Sequence, residues 1–241
     1  MKKLIIIFLL FSNVVFSQDF QARLSLSTGA VMTFSTAKHN IWKQYNGFRM
    51  GGYPFILNTL FSTGYNFKIK NDILTSISVL AETGYNFSGY SRPTDKNFGS
   101  EGGTFYFHSL VLGLISTLNF YNDVSLGIGA GVMFPLHANI FGYWELMGDY
   151  TGVKELSYKD IKKLYKVPVM PYIKLSVEKT IKYNKVDLIA GGVFTYNFGM
   201  SCDSEVLTYS SKAMASFAYN NYKFSAFSAE VFIGFGFGRP K

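Results

Sequence analysis

The stretch FQARLSLSTGAVMTFS, residues 20–35, decides the fold. Its side chains alternate almost without a break. Phe20, Ala22, Leu24, Leu26, Ala30, Met32 and Phe34 share one side, interrupted only by Thr28. Gln21, Arg23, Ser25, Ser27, Gly29, Thr33 and Ser35 share the other, with Val31 the exception. A period of two belongs to an extended strand between an apolar and a polar medium.

The same pattern recurs seven more times, at 53–69, 73–88, 104–120, 124–137, 167–181, 186–200 and about 222–238. With 19–35 this makes eight strands, each long enough to cross a bilayer obliquely. The connections alternate in length. Those near 36–52, 89–103, 138–166 and 201–221 are long; those at 70–72, 121–123 and 182–185 are short, with turn-forming Asn and Asp. No linker or repeat divides the chain.

Two faces alternate, so one must be assigned outward. Phe34, Phe55, Tyr85, Phe87, Tyr106, Phe134, Tyr196, Phe198 and Phe227 lie toward the long loops. Phe20, Tyr65, Phe67, Phe120, Phe235 and Phe237 lie toward the short turns, with Leu, Ile, Val and Ala between. Two aromatic girdles around an aliphatic belt are what a bilayer selects. The opposite face is rich in Ser and Gly, as a narrow lumen requires. The expected fold is therefore an all-β, eight-stranded antiparallel up-and-down transmembrane barrel, with short periplasmic turns and long outer loops. A soluble carrier barrel, apolar inside, is the competing reading.

Composition agrees. Of 241 residues, 18% are aromatic and only 16% charged, against about 25% charged in an ordinary soluble domain. Residues 1–17 read as a cleavable export signal: Lys2 and Lys3, an apolar run from Leu4 to Phe11, and small residues before Gln18. Residues 18–241 form the barrel domain. The single cysteine, Cys202, leaves no internal disulfide. The formal charge of +8 suits anionic lipid headgroups better than nucleic acid in an exported, strand-rich chain.

With this pattern and signal, the mature chain resembles the small outer-membrane β-barrels of Gram-negative bacteria, the superfamily of OmpA-type transmembrane domains, OmpW and PorT-like barrels. The resemblance implies outer-membrane insertion through the barrel assembly machinery. Such chains often finish on an aromatic residue; here Phe237 is followed by Gly238, Arg239, Pro240 and Lys241.

Candidate functional groups lie on the predicted lumenal face. Arg23, Glu82, Lys174, Glu178, Asp187 and Glu230 form a polar cluster. Closure of the first strand on the last places Arg23 near Glu230, and Lys174 shares a face with Glu178. Leu80, Phe105, Phe107, Met133, Tyr172 and Phe232 are bulky lumenal residues that oppose an open channel; Gly113, Gly127, Gly129, Gly131 and Gly234 either house them or leave a pocket for a small apolar ligand. His39 lies in the first long loop with no companion at metal spacing, so neither a metal nor a cofactor is expected. His108 falls on the lipid side. His137 falls on the lumenal side, diagonal to Ser109 if residues 121–123 make a three-residue turn. That Ser–His pair is the sole catalytic candidate, and no acid accompanies it.

In the third long loop Ser157 caps a short helix with Asp160 in its first turn. Lys159, Lys162, Lys163 and Lys166 then share one face, a candidate contact for lipopolysaccharide phosphates, while Tyr158, Ile161 and Tyr165 share another. The function expected from these residues is non-enzymatic, structural or surface-recognition. A narrow channel for ions or a small apolar solute is the alternative. A lipid-A-modifying hydrolase is the third.

Overall fold

The computed structural model describes residues 20–39, 47–50, 54–69, 72–92, 102–143, 152–183, 186–201 and 219–237. The predicted export signal and Cys202 lie outside them. The elements are β1 (Phe20–His39), β2 (Gly47–Met50), β3 (Phe55–Lys68), β4 (Leu74–Arg92), β5 (Gly102–Phe120), β6 (Val124–Tyr143), β7 (Gly152–Ser157), α1 (Tyr158–Leu164), β8 (Met170–Tyr183), β9 (Val186–Asn197) and β10 (Tyr219–Phe237).

Eight of these strands run antiparallel in the order β1, β3, β4, β5, β6, β8, β9, β10, and β10 closes on β1. The closing register places Leu24 opposite Phe235 and Ala30 opposite Ala229. Closure leaves no open edge in the wall, which hydrocarbon demands because it offers no partner to an unpaired N–H or C=O. The remaining strands are short. β2 pairs with the outer end of β1, and β7 with the outer end of β6.

The polarity is inside out. Leu114, Ile128, Val231 and Ile233 are 62%, 65%, 68% and 59% exposed, while Ser78, Asn86 and Thr117 are fully buried. At about 25 cal/mol per Å² of apolar surface, a belt of this size left in water opposes folding; against lipid it costs nothing. The exceptions in residues 20–35 fit the same scheme. Val31 points inward and is buried. Thr28 points outward and donates its hydroxyl to the Ile56 carbonyl, 3.1 Å away. No helix among the described residues is long and apolar enough to cross a membrane; this chain crosses with strands. It is an integral outer-membrane barrel.

Two expectations change. First, several strands outrun the belt. β4 and β5 pair as far as Arg92 with Gly103, and β5 and β6 as far as Gly102 with Tyr143. Segments expected as loop at 36–52, 89–103 and 138–166 thus contain ladder, because paired ribbon satisfies backbone groups more fully than irregular chain. Second, the β5–β6 register shifts between His108 and Ser109. Ser109 pairs with Pro135, His108 with His137, and Leu136 is the extra residue. This β-bulge inverts the inward–outward parity of everything beyond it on β6.

Candidate functional site

The lumen is a column of polar side chains roofed by an apolar plug. At the periplasmic end Asn119 Nδ2 donates to Ser78 Oγ at 2.9 Å and Ser76 Oγ at 3.0 Å. Ser125 Oγ donates back to Asn119 Oδ1 at 2.8 Å, and Ser78 Oγ to Asn66 Oδ1 at 3.0 Å. Alternation alone aims all of these inward.

The middle holds the charges. Arg23 Nη1 donates to Glu178 Oε1 at 2.7 Å, and Lys174 Nζ lies 2.5 Å from Glu82 Oε2. Glu230 has no cationic partner among the described residues. It accepts from Ser27 Oγ at 2.6 Å, Asn58 Nδ2 at 2.5 Å and Ser228 Oγ at 2.8 Å. A cavity of about 70 Å³, room for a few water molecules, separates these groups and also meets Tyr172, Ser176 and Phe232.

Inward glycines make room for the long side chains. A Cβ on Gly113 would stand 2.2 Å from Tyr172 Oη, and one on Gly129 would stand 3.1 Å from Lys174 Cε. Above the charges, Asn86 Nδ2 donates to Asn58 Oδ1 at 2.5 Å, and Asn197 Nδ2 to Tyr90 Oη at 2.9 Å.

The outer mouth is closed. Phe107, Tyr90 and Phe224 pack together, with Phe107 and Phe224 stacked at 6.0 Å. Met133, Met170, Met200 and Leu156 complete the plug. α1 lies over it and inserts Ile161, and Tyr165 follows at the helix's C-terminal cap; the two are 0% and 2% exposed. Ser157 starts this helix, its N–H and hydroxyl both donating to Asp160 Oδ2 at 3.1 and 2.6 Å. Gly199 shapes the neighbouring chain with φ of +66°, where a Cβ would strike the Phe224 carbonyl oxygen at 1.5 Å.

The sequence-predicted residues distribute as follows. Arg23, Glu82, Lys174, Glu178 and Glu230 line one cavity. Arg23 and Glu230 are not partners: on the closed β1–β10 ladder Arg23 lies opposite Gly236 and Glu230 opposite Gly29. Arg23 instead reaches across the lumen to β8. Lys174 and Glu178 each pair with another strand rather than with one another. Asp187 stands at the periplasmic rim, opposite Gly236 and Lys182, outside the cavity. Lys159, Lys162, Lys163 and Lys166 are exposed on and beside α1. Ser109 is buried on the lumenal face, whereas the bulge turns His137 outward beside His108, ring centroids 5.3 Å apart. The sheet stands between Ser109 and His137, so they make no nucleophile–base pair. His39 ends β1, and its side chain lies outside the described residues.

Sequence reasoning did not find the asparagine tiers or the depth of the plug. Asn58, Asn66 and Asn86 sit at lumenal parity, which is a usable signal; their mutual pairing depends on strand stagger.

No protein-family description and no curated protein matches the sequence. Among solved structures, the chain is similar to the attachment invasion locus protein Ail of Yersinia pestis, crystallised with the heparin analogue sucrose octasulfate, at 12% identity and a TM-score of 0.34, covering 88% of this chain and 98% of that one. Neisserial surface protein A aligns at 11% identity and TM-score 0.37, covering 92% and 97%. The outer membrane protease OmpT from Escherichia coli aligns at 9% and 0.40, covering 91% and 96%. At such values no role transfers from these proteins.

Proposed function

We propose that this protein is a non-conducting, non-enzymatic outer-membrane scaffold that presents its outer loop assembly for recognition at the cell surface. One observation carries the reading: the Phe107–Phe224–Tyr90 plug with Ile161 of α1 and the adjoining Tyr165 pressed into it. A conducting lumen needs a continuous polar path, and the side chains packed in this mouth are buried and largely apolar. The middle of the lumen favours the same reading, since its charges are tied to one another or to fixed amides and hydroxyls. Such pairs resist removal of either member, because the survivor is left buried and uncompensated.

The plug gives the outer platform a rigid base. Above it Lys159, Lys162, Lys163 and Lys166 offer four exposed ammonium groups, suited to phosphate or sulfate groups on lipopolysaccharide or a host polysaccharide. Insertion by the barrel assembly machinery belongs to the same proposal.

The test is conductance in planar bilayers. Wild type gives a closed trace at physiological salt, and paired removal of plug side chains (Phe107→Ala with Ile161→Ala) raises conductance. Steady wild-type openings of uniform size overturn the proposal in favour of a channel. Retention on lipopolysaccharide-coated beads, compared with the variant carrying Gln at all four lysines, tests the recognition surface.

A further inference from the structure

The β5–β6 bulge re-aims His137. Counted from Met133 and Pro135, which point inward, position 137 should face the lumen. The extra residue at Leu136 instead sends it outward, directly opposite His108 on the adjacent strand. Bulges of this kind recur where a side chain must be re-aimed at a site. Here the bulge places two of the chain's three histidines side by side on the outer wall.

The surroundings are specific. The two rings lie 5.3 Å apart between centroids. His137 Nε2 is 3.1 Å from Asn139 Oδ1, and Asn139 Nδ2 is 3.4 Å from His108 Nε2. Both Nε2 atoms therefore converge on one carboxamide. The other nitrogen of His108, Nδ1, meets Tyr85 Oη in a short hydrogen bond. An imidazole held through Nδ1 in this way aims Nε2, which here faces the Asn139 amide, as its ligand atom, which is how ligating histidines are oriented.

The level is also specific. Leu110 and Leu136 lie just below on the exposed apolar belt. Phe87, ring centroid 4.9 Å from His108, stacks on Tyr106 in the upper girdle. Above stand Asn139 and, opposite it on β7, the exposed Glu155. Both histidines are half-exposed, so the pair opens to the interface between lipid and the outside medium.

From this we propose that His108 and His137 form an open two-nitrogen site for a divalent transition-metal ion on the outer rim, which takes the ion by displacing the Asn139 carboxamide. Imidazole pairs suit Zn²⁺, Cu²⁺ and Ni²⁺. Zinc–nitrogen bonds of about 2.0–2.1 Å require the rings to close on the space the amide now holds, with the Asn139 side chain rotated away. Among the described residues no third His, Cys, Asp or Glu completes a preassembled cluster. Water fills the remaining positions, and Glu155 adds negative charge to the same strip. The bland alternative is that the two rings simply belong to the aromatic girdle; it predicts no stoichiometric ion.

The experiment uses the mature protein folded in phospholipid nanodiscs, with Zn²⁺ as the probe in competition with a chromophoric chelator at pH 7.4. Wild type is expected to bind one Zn²⁺ per chain. His108→Ala and His137→Ala each weaken it at least tenfold. Tyr85→Phe, which removes only the orienting hydroxyl, weakens it about tenfold, and His39→Ala leaves it unchanged. Asn139→Ala binds as tightly as wild type or more so. Cu²⁺ in the same preparation gives an electron paramagnetic resonance spectrum with two nitrogen ligands, one in either histidine variant. Absence of stoichiometric Zn²⁺, survival of binding in His137→Ala, or loss in His39→Ala each overturns the proposal.

Discussion

Arg23 on β1 and Glu178 on β8 meet at 2.7 Å across the barrel interior, 155 residues apart in the chain. Neither strand neighbours the other in the sheet, so this contact braces the wall through its centre. Both side chains are buried, at 10% and 5% exposure. Arg23→Met leaves Glu178 uncompensated and is expected to cost about 3–5 kcal/mol. Adding Glu178→Leu should recover most of that. Denaturant unfolding in lipid vesicles reads both; strictly additive losses in the double variant would show that the two groups act independently.

Tyr172 and Gly113 are coupled by shape. Among the described residues Tyr172 Oη is buried with no protein hydrogen-bond partner, and it fills the space a Cβ on Gly113 would need. Gly113→Ala should cost about 1–3 kcal/mol through overpacking. Tyr172→Phe, which removes an unsatisfied hydroxyl, should be neutral or stabilising, and should soften the Gly113→Ala penalty. Gly131→Ala gains no such relief, since the Leu112 carbonyl oxygen also blocks it at 2.3 Å. Thermal unfolding of the three single variants and the two combinations with Tyr172→Phe orders them; equal penalties in both backgrounds would disprove the steric link.

α1 is held to the mouth by Ile161, which has no exposed surface. Ile161→Asp puts a carboxylate into the plug at a cost of several kcal/mol, so the helix should detach. Trypsin added from outside should then cut at Lys159, Lys162, Lys163 or Lys166 about 10–100 times faster, because cleavage follows the population of the open form. An unchanged rate would mean that α1 is already loose in the parent protein.

The outer wall is assigned to hydrocarbon, and single arginines measure that assignment. Ile128, 65% exposed at mid-belt, should lose about 2–4 kcal/mol on replacement by Arg in a lipid bilayer. Tyr121, 79% exposed at the short turn, should tolerate Arg within about 0.5 kcal/mol. Equal tolerance at the two sites would remove the bilayer from the description.

Alternation along eight segments, written in residues such as Leu24 and Ile128 against Ser27 and Gly127, was sufficient to specify a barrel, its strand count and which wall meets lipid. Those properties are local: each residue's side follows from its parity, and the burial free energy of a whole strand reverses if parity slips by one. Ser157 and Asp160 likewise announced α1, because capping acts within a single turn. What parity cannot encode is stagger between strands. Arg23 finds Glu178 rather than Glu230 because the β1–β10 register sets it opposite Gly236. One extra residue at Leu136 moves His137 from the lumen to the outer wall beside His108, a choice made by ladder hydrogen bonds across β5 and β6. The plug, too, assembles Phe107, Phe224 and Ile161 from distant segments, and only closure of the sheet brings them within van der Waals reach.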